Sequence, residues 1–302
     1  MWLTIAIAGY VILGIVGILD KFILSKSVPR PAVFVFYSSI FVLPILILAP
    51  FGVRWIVGAK DWCVAIMAGA TFAFALWTMY KGFLVSEVSH VGPLVGAATP
   101  FFVLLLNPFL IGEYLSTRTL IAIAILIVGS LIISFEQSKQ HRGWHTGMAW
   151  GIAAGLFFAL SNIASKYIYD VYGFYSGLVW TRGALGVAGV FILLNSDVRR
   201  AIFHRSKKHL SKLRSGVGQL VLVGSDKILG VVGVVLVQFA IATGSVTIVN
   251  ALNGVQYAAL VIIVAVLSRF VPKLFREQYA PLEAAQEMLA VMLIVIGLAM
   301  LI

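Results

Sequence analysis

The chain is a succession of long apolar stretches separated by short polar breaks, and this rhythm runs through nearly all of its 302 residues. As a helix, a run of about 20 apolar residues matches the hydrocarbon thickness of a bilayer. The pattern predicts helices near residues 2–24, 31–50, 62–84, 88–111, 117–135, 146–169, 174–194, 217–242, 246–268 and 284–302. The expected fold is an all-α membrane protein with ten transmembrane helices. The first run, from Trp2 to about Leu24, is longer than a signal-peptide core and lacks its flanks, so it reads as a retained helix. Pro44, Pro93, Pro100 and Pro108 remove backbone donors in or near spans, and kinks are expected there.

The pattern repeats. Laying Leu19–Leu24 over Ala164–Tyr169 carries Phe36-Tyr37 onto Thr181-Arg182 without a gap. After a longer connection in the second half, Tyr80 meets Phe239 and Ser86 meets Ser245. This predicts two five-helix repeats, 1–138 and 139–302. An odd number of crossings per repeat makes the second copy enter from the opposite face, which is an arrangement used by transporters.

The residues of the first half carry a resemblance. The ordered set Tyr80-Lys81, Glu87-Val88-Ser89, Pro93-Leu94, Pro100-Phe101-Phe102 and Gly112-Glu113, followed by a helix with Gly129, resembles the EamA-type half-repeat of the drug/metabolite transporter superfamily. Lys21 and Lys166 stand where that family often has a lysine at the end of the first helix of each half, and Arg182 where it often has an arginine in the second. The chain departs from the pattern at Tyr37, the counterpart of Arg182, at Ala259, near the counterpart of Pro100, and at Arg276-Glu277, where the tight Gly-Glu turn does not recur. The resemblance implies a small-metabolite transporter with cytoplasmic termini and leaves the cargo open.

Composition agrees with a lipid solvent: 61% of residues are hydrophobic, 11% are charged, and mean hydropathy is +1.05. The longest polar interval, Asn195 to Gly216, is too short for a soluble domain. The net charge of +11 is unevenly placed. Odd-numbered connections hold 14 Lys and Arg, half of them in Arg199–Arg214, whereas the even-numbered ones hold Arg54, Lys60 and Arg118. The positive-inside bias then puts both termini outside, opposite to what the resemblance implies. The Arg199–Arg214 stretch lacks aromatic interleaving and reads as a topology anchor near anionic lipid, with no nucleic-acid partner. A single Cys63 excludes an internal disulfide and a cysteine metal cluster.

Charge inside a span costs about 2.5–3.5 kcal/mol at the helix centre, which makes each such group a functional candidate. Lys21, Lys81, Lys166, Arg182 and Lys227 qualify, set against Asp20 and Asp226. The three lysines near helix ends can snorkel to the headgroups; Arg182 is deeper. Asp226 and Lys227 can neutralise each other, but neighbours point about 100° apart on a helix, so partners on other helices are the more expected, and Asp20 can answer Lys21 or Arg182. The excess of positive groups predicts a cargo bearing carboxylate or phosphate. Asn250, Asn253 and Tyr257 fall at i, i+3 and i+7 and form a polar stripe that must face protein or water. Its counterpart, Val91, Leu94 and Ala98, is apolar, so an amphipathic cargo would also suit the lining. The candidate substrate-binding residues are therefore Arg182, Asn250, Asn253, Tyr257, Lys21, Lys166, Tyr37, Asp226 and Lys227.

Gly147, Gly151 and Gly155 share one helix face, and Gly183, Gly186 and Gly189, and Gly230 with Gly233, form similar seams for close helix approach or a dimer contact. Glu113 is expected to cap the fifth helix, and Glu283 and Glu287 the tenth.

No HExxH, GxSxG or P-loop occurs and the five histidines are scattered, so no enzyme, metal or cofactor is expected. The expected function is secondary active transport by alternating access, across the cytoplasmic (inner) membrane and driven by a coupling ion or counter-substrate, in a monomer or homodimer. The alternatives are a flippase for a lipid-linked or polyprenyl-phosphate molecule and a membrane-embedded lipid-headgroup enzyme.

Overall fold

The computed structural model describes residues 1–26, 31–86, 88–134, 146–194, 196, 198–199, 217–270 and 281–301. Side chains at 20–26, 31, 34, 88–90, 217–223, 264–265, 267–270 and 281–284 lie outside that description. Lys21, Asp20, Glu87, Glu283 and most of the Arg199–Arg214 stretch are therefore outside the described side chains.

The regular structure is helical: α1 (Trp2–Lys26), α2 (Pro31–Ile40), a 3₁₀ turn (Leu43–Leu48), α3 (Ala59–Val85), α4 (Val88–Leu110), α5 (Thr117–Ser134), α6 (Thr146–Tyr172), α7 (Phe174–Ile192), α8 (Val217–Thr243), α9 (Val246–Ala251), α10 (Asn253–Phe270) and α11 (Pro281–Leu301). Among the described residues, seven helices are long and apolar enough to cross a membrane: those of α1, α3, α4, α5, α6, α8 and the α9–α10 pair. Shorter apolar helices occupy Val35–Leu48 and Ala285–Leu301. Large side chains such as Phe41, Phe51, Phe109, Leu194 and Met292 stand exposed around the bundle, a surface that only lipid can cover. The chain is a multi-pass membrane protein.

Two expected helices are broken. The run expected at 31–50 ends as an α-helix at Ile40, because Pro44 lacks an N–H and its ring would strike the carbonyl four residues back, that of Ile40. The chain continues as the 3₁₀ turn with Pro44 in its first positions. The run expected at 246–268 breaks at Leu252. There Asn250 Nδ2 donates to the Val246 carbonyl at 2.8 Å, a back-bond of the kind that bends helices. By contrast α4 runs through Pro93, Pro100 and Pro108 as a single helix.

Neighbour relations follow from the glycines. In α6, Gly147 lies against Ser86, Gly151 against Leu94 and Gly155 against Ala98, so this seam faces α3 and α4 of the same chain. Gly183, Gly186 and Gly189 of α7 meet Leu46, Leu43 and Ser39, and Gly233 of α8 meets Leu13 of α1. The expected seams are thus used within the bundle. The most extensive packing joins α3 to α6, α1 to α8, α4 to α6 and α5 to α11; α1 also lies on α10, α4 on α9 and α10, and α2 on α7.

Glu113 does not cap α5. It accepts hydrogen bonds from Asn107 and Thr247, and Ser116 Oγ accepts from the Thr119 amide at 3.2 Å in its stead. The turn that aims Glu113 is made by Gly112, whose φ of 79° follows the carbonyl bond to Asn107.

At Gly69 an added Cβ would come within 2.4 Å of the Leu185 amide nitrogen, backbone that cannot move aside. Gly69→Ala is expected to destabilise the protein by about 1–3 kcal/mol, read as a lowered melting temperature in detergent. Gly224→Ala, with nothing within 4 Å, is expected to leave it unchanged or raise it slightly.

Candidate functional site

A line of buried polar side chains links three helices inside the bundle. Tyr169 on α6 donates its hydroxyl to Gln238 Oε1 on α8 at 2.8 Å, Gln238 Nε2 donates to Asn162 Oδ1 on α6 at 3.3 Å, and Asn162 Nδ2 donates to Asn250 Oδ1 on α9 at 2.7 Å. All four residues are buried. Asn162 and Tyr169 occupy one face of α6, seven residues apart, so the helix presents both inward. With no water in the hydrocarbon, such amides must satisfy each other, which ties α6, α8 and α9 in one geometry.

Arg182 lies at the middle of α7, 5% exposed. Its guanidinium carbon is 4.4 Å from the centre of the Phe72 ring on α3, a cation–π contact in an environment without competing water. Tyr169 is its polar neighbour, which joins it to the amide line. Phe72 in turn meets Phe158 edge-on, with centroids 5.2 Å apart. Nε and Nη2 of Arg182 are buried and have no hydrogen-bond partner. These two nitrogens lie on the same edge of the guanidinium, so one complete edge of the donor fork is vacant.

The structure distributes the sequence candidates unequally. Arg182 and Asn250 join the central line. Lys166, on the same face of α6, pairs with Asp170 at 2.8 Å and donates to the Ala242 carbonyl at 3.3 Å. Tyr257 is half-buried, and its ring fills the notch left by Gly92 and Gly96 on α4. Asn253 opens α10 beyond the break, half-buried, so the expected stripe is interrupted: Asn250 turns to α6 and Tyr257 to α4. Tyr37 belongs to an apolar cluster with Val33, Phe36 and Ile192, near the far end of α7 from its amino terminus. Asp226 and Lys227 pair with each other at 2.8 Å, one of the two pairings their positions offered; the flexible lysine stem spans the angle between neighbouring positions. Lys81, expected to snorkel, is placed 3.7 Å over Trp77 and 4.4 Å over Trp150.

The amides of Asn162 and Gln238 and the hydroxyl of Tyr169 escape a search for charge alone. Their signal is nonetheless present: a lone amide in an apolar run must have a partner, and Asn162, Lys166 and Tyr169 recur at helical spacing.

One end of the bundle is tied by a second set of bonds. Asp61, at the start of α3, accepts from Tyr167 at 2.9 Å and Tyr172 at 2.7 Å, both near the end of α6. The preceding loop is fastened to α7 through Arg54 N to Ser176 Oγ at 3.0 Å and Trp180 Nε1 to the Arg54 carbonyl at 2.8 Å. Asn107, Glu113 and Thr247 join the end of α4 to the start of α9.

No known family model and no curated protein sequence matches the chain. A solved structure described as "Crystal structure of protein" is similar to it in fold, with a TM-score of 0.68 and 15% identity, over 99% of this chain and 97% of that one.

The amide line makes a coupled unit. Asn162→Leu leaves Gln238 Nε2 and Asn250 Oδ1 without partners and is expected to lower stability by about 1–3 kcal/mol. In Asn162→Leu/Asn250→Leu the loss falls short of the sum by about 0.5–3 kcal/mol, measured as a thermal or denaturant double-mutant cycle.

Proposed function

We propose that this chain is a secondary active transporter of the EamA type in the drug/metabolite transporter superfamily, moving a small organic metabolite across the cytoplasmic membrane by alternating access. The observation that carries this reading is the buried polar line through Tyr169, Gln238, Asn162 and Asn250, beside a half-partnered Arg182, in the interior of a largely apolar bundle. Polar groups placed there are costly, and a passage for a polar cargo gives them a use.

Helix packing supports the organisation into two inverted five-helix repeats, 1–138 and 139–302. If α1 to α5 correspond to α6, α7, α8, α9–α10 and α11, exchanging the halves turns the α3–α6 pair into α8–α1 and the α4–α6 pair into α9–α10 with α1. It leaves α5–α11, α2–α7 and α4 with α9–α10 as self-paired contacts. Each of these pairs is among the observed neighbours. Two nearly equivalent halves can trade conformations at small free-energy difference, which is what alternating access requires. The break at Leu252 fits a span that lines a cavity, where irregular backbone is tolerated. The full-length likeness to a solved structure speaks to fold only.

In this reading the bonds at Asp61, Tyr167, Tyr172, Arg54 and Glu113 close one vestibule. Hydrogen bonds from tyrosines to a carboxylate near the surface can be exchanged for bonds to water at modest net cost, so they can hold a gate and still be released. Arg182, Asn250, Asn162, Gln238 and Tyr169 are the proposed cargo contacts, with Asn253 and Tyr257 beside the break.

Labelling in proteoliposomes tests this. In a Cys63→Ser background, Ser165→Cys on the inward face of α6 is expected to react slowly with a membrane-impermeant maleimide from the Asp61 side. Asp61→Ala is expected to raise that rate about tenfold, as loss of two such bonds shifts the closed population. Unchanged labelling would remove the gate and with it alternating access. Exposure of a lipid headgroup to outside reagents would instead mark a flippase, and a chemically altered product an enzyme.

A further inference from the structure

We infer that Arg182 holds the carboxylate of a monoanionic cargo through its Nε and Nη2 edge, with the apolar body of that cargo on the Phe72 and Phe158 side. The inference deepens the transport reading by naming the substrate class, and it rests on that reading.

Three observations converge. The first is geometric. The guanidinium carbon lies 4.4 Å over the Phe72 ring, and Nε and Nη2, which share one in-plane edge, are buried without a hydrogen-bond partner. A carboxylate is planar and presents two oxygens at the spacing of that edge, so it would complete two parallel charge-assisted bonds to Nε and Nη2.

The second is charge balance. Among the described residues inside spans, Lys166 is neutralised by Asp170 and Lys227 by Asp226. Lys81 is enclosed by Trp77 and Trp150, nine residues beyond Phe72 on α3 and so about 13 Å along it. Among the described residues no acid is paired with Arg182, and the single positive charge it carries is one that a monocarboxylate cancels and a phosphate dianion exceeds.

The third is the rest of the lining. Asn162, Asn250, Gln238 and Tyr169 already satisfy one another, so they offer neutral polarity without a further vacant charge. Phe72 and Phe158 meet edge-on at 5.2 Å, so the ring under the guanidinium carbon is backed by a second apolar ring. One anionic end and an apolar body are the features such surroundings recognise.

The test is ligand-induced thermal stabilisation of the purified, detergent-solubilised full chain at mildly alkaline pH, where a phosphonate is doubly ionised and an alkylamine still protonated, with matched probes: phenylacetate and hexanoate as carboxylates, phenylacetamide as the neutral isostere, benzylamine as the cation and benzylphosphonate as the dianion. Phenylacetate or hexanoate is expected to raise the melting temperature in a saturable way, with phenylacetamide, benzylamine and benzylphosphonate weaker. Arg182→Gln is expected to weaken the carboxylate by about thirtyfold or more, since it removes one partner of a buried charge pair. Arg182→Lys, which keeps the charge without the fork, should recover only part of it. Should Arg182→Gln fail to fold, the comparison of phenylacetate with phenylacetamide on the unaltered protein decides alone. Equal binding of those two, tighter binding of benzylphosphonate, or saturable binding of neither carboxylate overturns the inference. Each of these leaves the transport reading standing, because the Ser165→Cys labelling does not depend on the charge of the cargo.

Discussion

The hydrocarbon interior offers no hydrogen bonds, and every buried polar group of this chain has to be answered by another part of the chain. The effect is visible at several scales. Single hydroxyls fold back onto their own helices, as Thr78 does to the Phe74 carbonyl, Thr99 to Val95 and Thr181 to Gly177. Others cross between helices: Ser161 donates to the Ala68 carbonyl at 2.7 Å, binding α6 to α3. Amides need two partners, and the line from Tyr169 to Asn250 supplies them by recruiting three helices at once. Arg182 stands out against this background because it carries a full charge and keeps one edge of its donor fork unpaired.

Close packing by small residues brings these groups within reach. Gly69 lets the α7 backbone at Ala184 and Leu185 approach α3 directly. Phe72 follows Gly69 by about one turn, and Arg182 precedes Leu185 by about one turn, so the same contact brings the phenyl ring under the guanidinium. Along α6, Gly155 against Ala98 lets α4 approach closely, and Gly92 and Gly96 open the notch that the Tyr257 ring fills. A lone Arg at this depth costs about 2.5–3.5 kcal/mol on insertion scales. A desolvated cation–π contact returns about 2 kcal/mol of that, which is enough to keep the group in place and leaves its vacant edge with much to gain from an anion.

Much of the fold can be read from the apolar runs, because period and length are properties of consecutive residues. The ends of α1, α4, α5 and α8 fall within two residues of where the runs place them. The breaks were less accessible. Pro44 truncates α2 through its own missing N–H, a local cause that the sequence contains. The break at Leu252, by contrast, depends on Asn250 satisfying both Val246 and Asn162, a tertiary circumstance. At the site, Arg182 and Asn250 are legible as polar intruders in apolar runs. Asn162 and Gln238 matter only as each other's partners, which no single run reveals. Tyr37 and the Asp226–Lys227 pair carry the same local signal as Arg182, yet the bundle places them elsewhere.

On the transport proposal, the two sets of polar bonds have different duties, and their chemistry is graded to match. The bonds at the end of the bundle use side chains that water can also satisfy: Asp61 is half-buried and its partners are phenols near helix ends. Opening there exchanges protein partners for water, at modest net cost per bond. The central amides have no such substitute, since opening without a replacement would strand buried donors and acceptors at about 1–3 kcal/mol each. A cargo that offers its own polar end removes that penalty for Arg182 while the amides keep each other. Loosening of the outer bonds and filling of the centre then become linked steps, and an empty centre holds the protein back from a costly passage through a doubly open state.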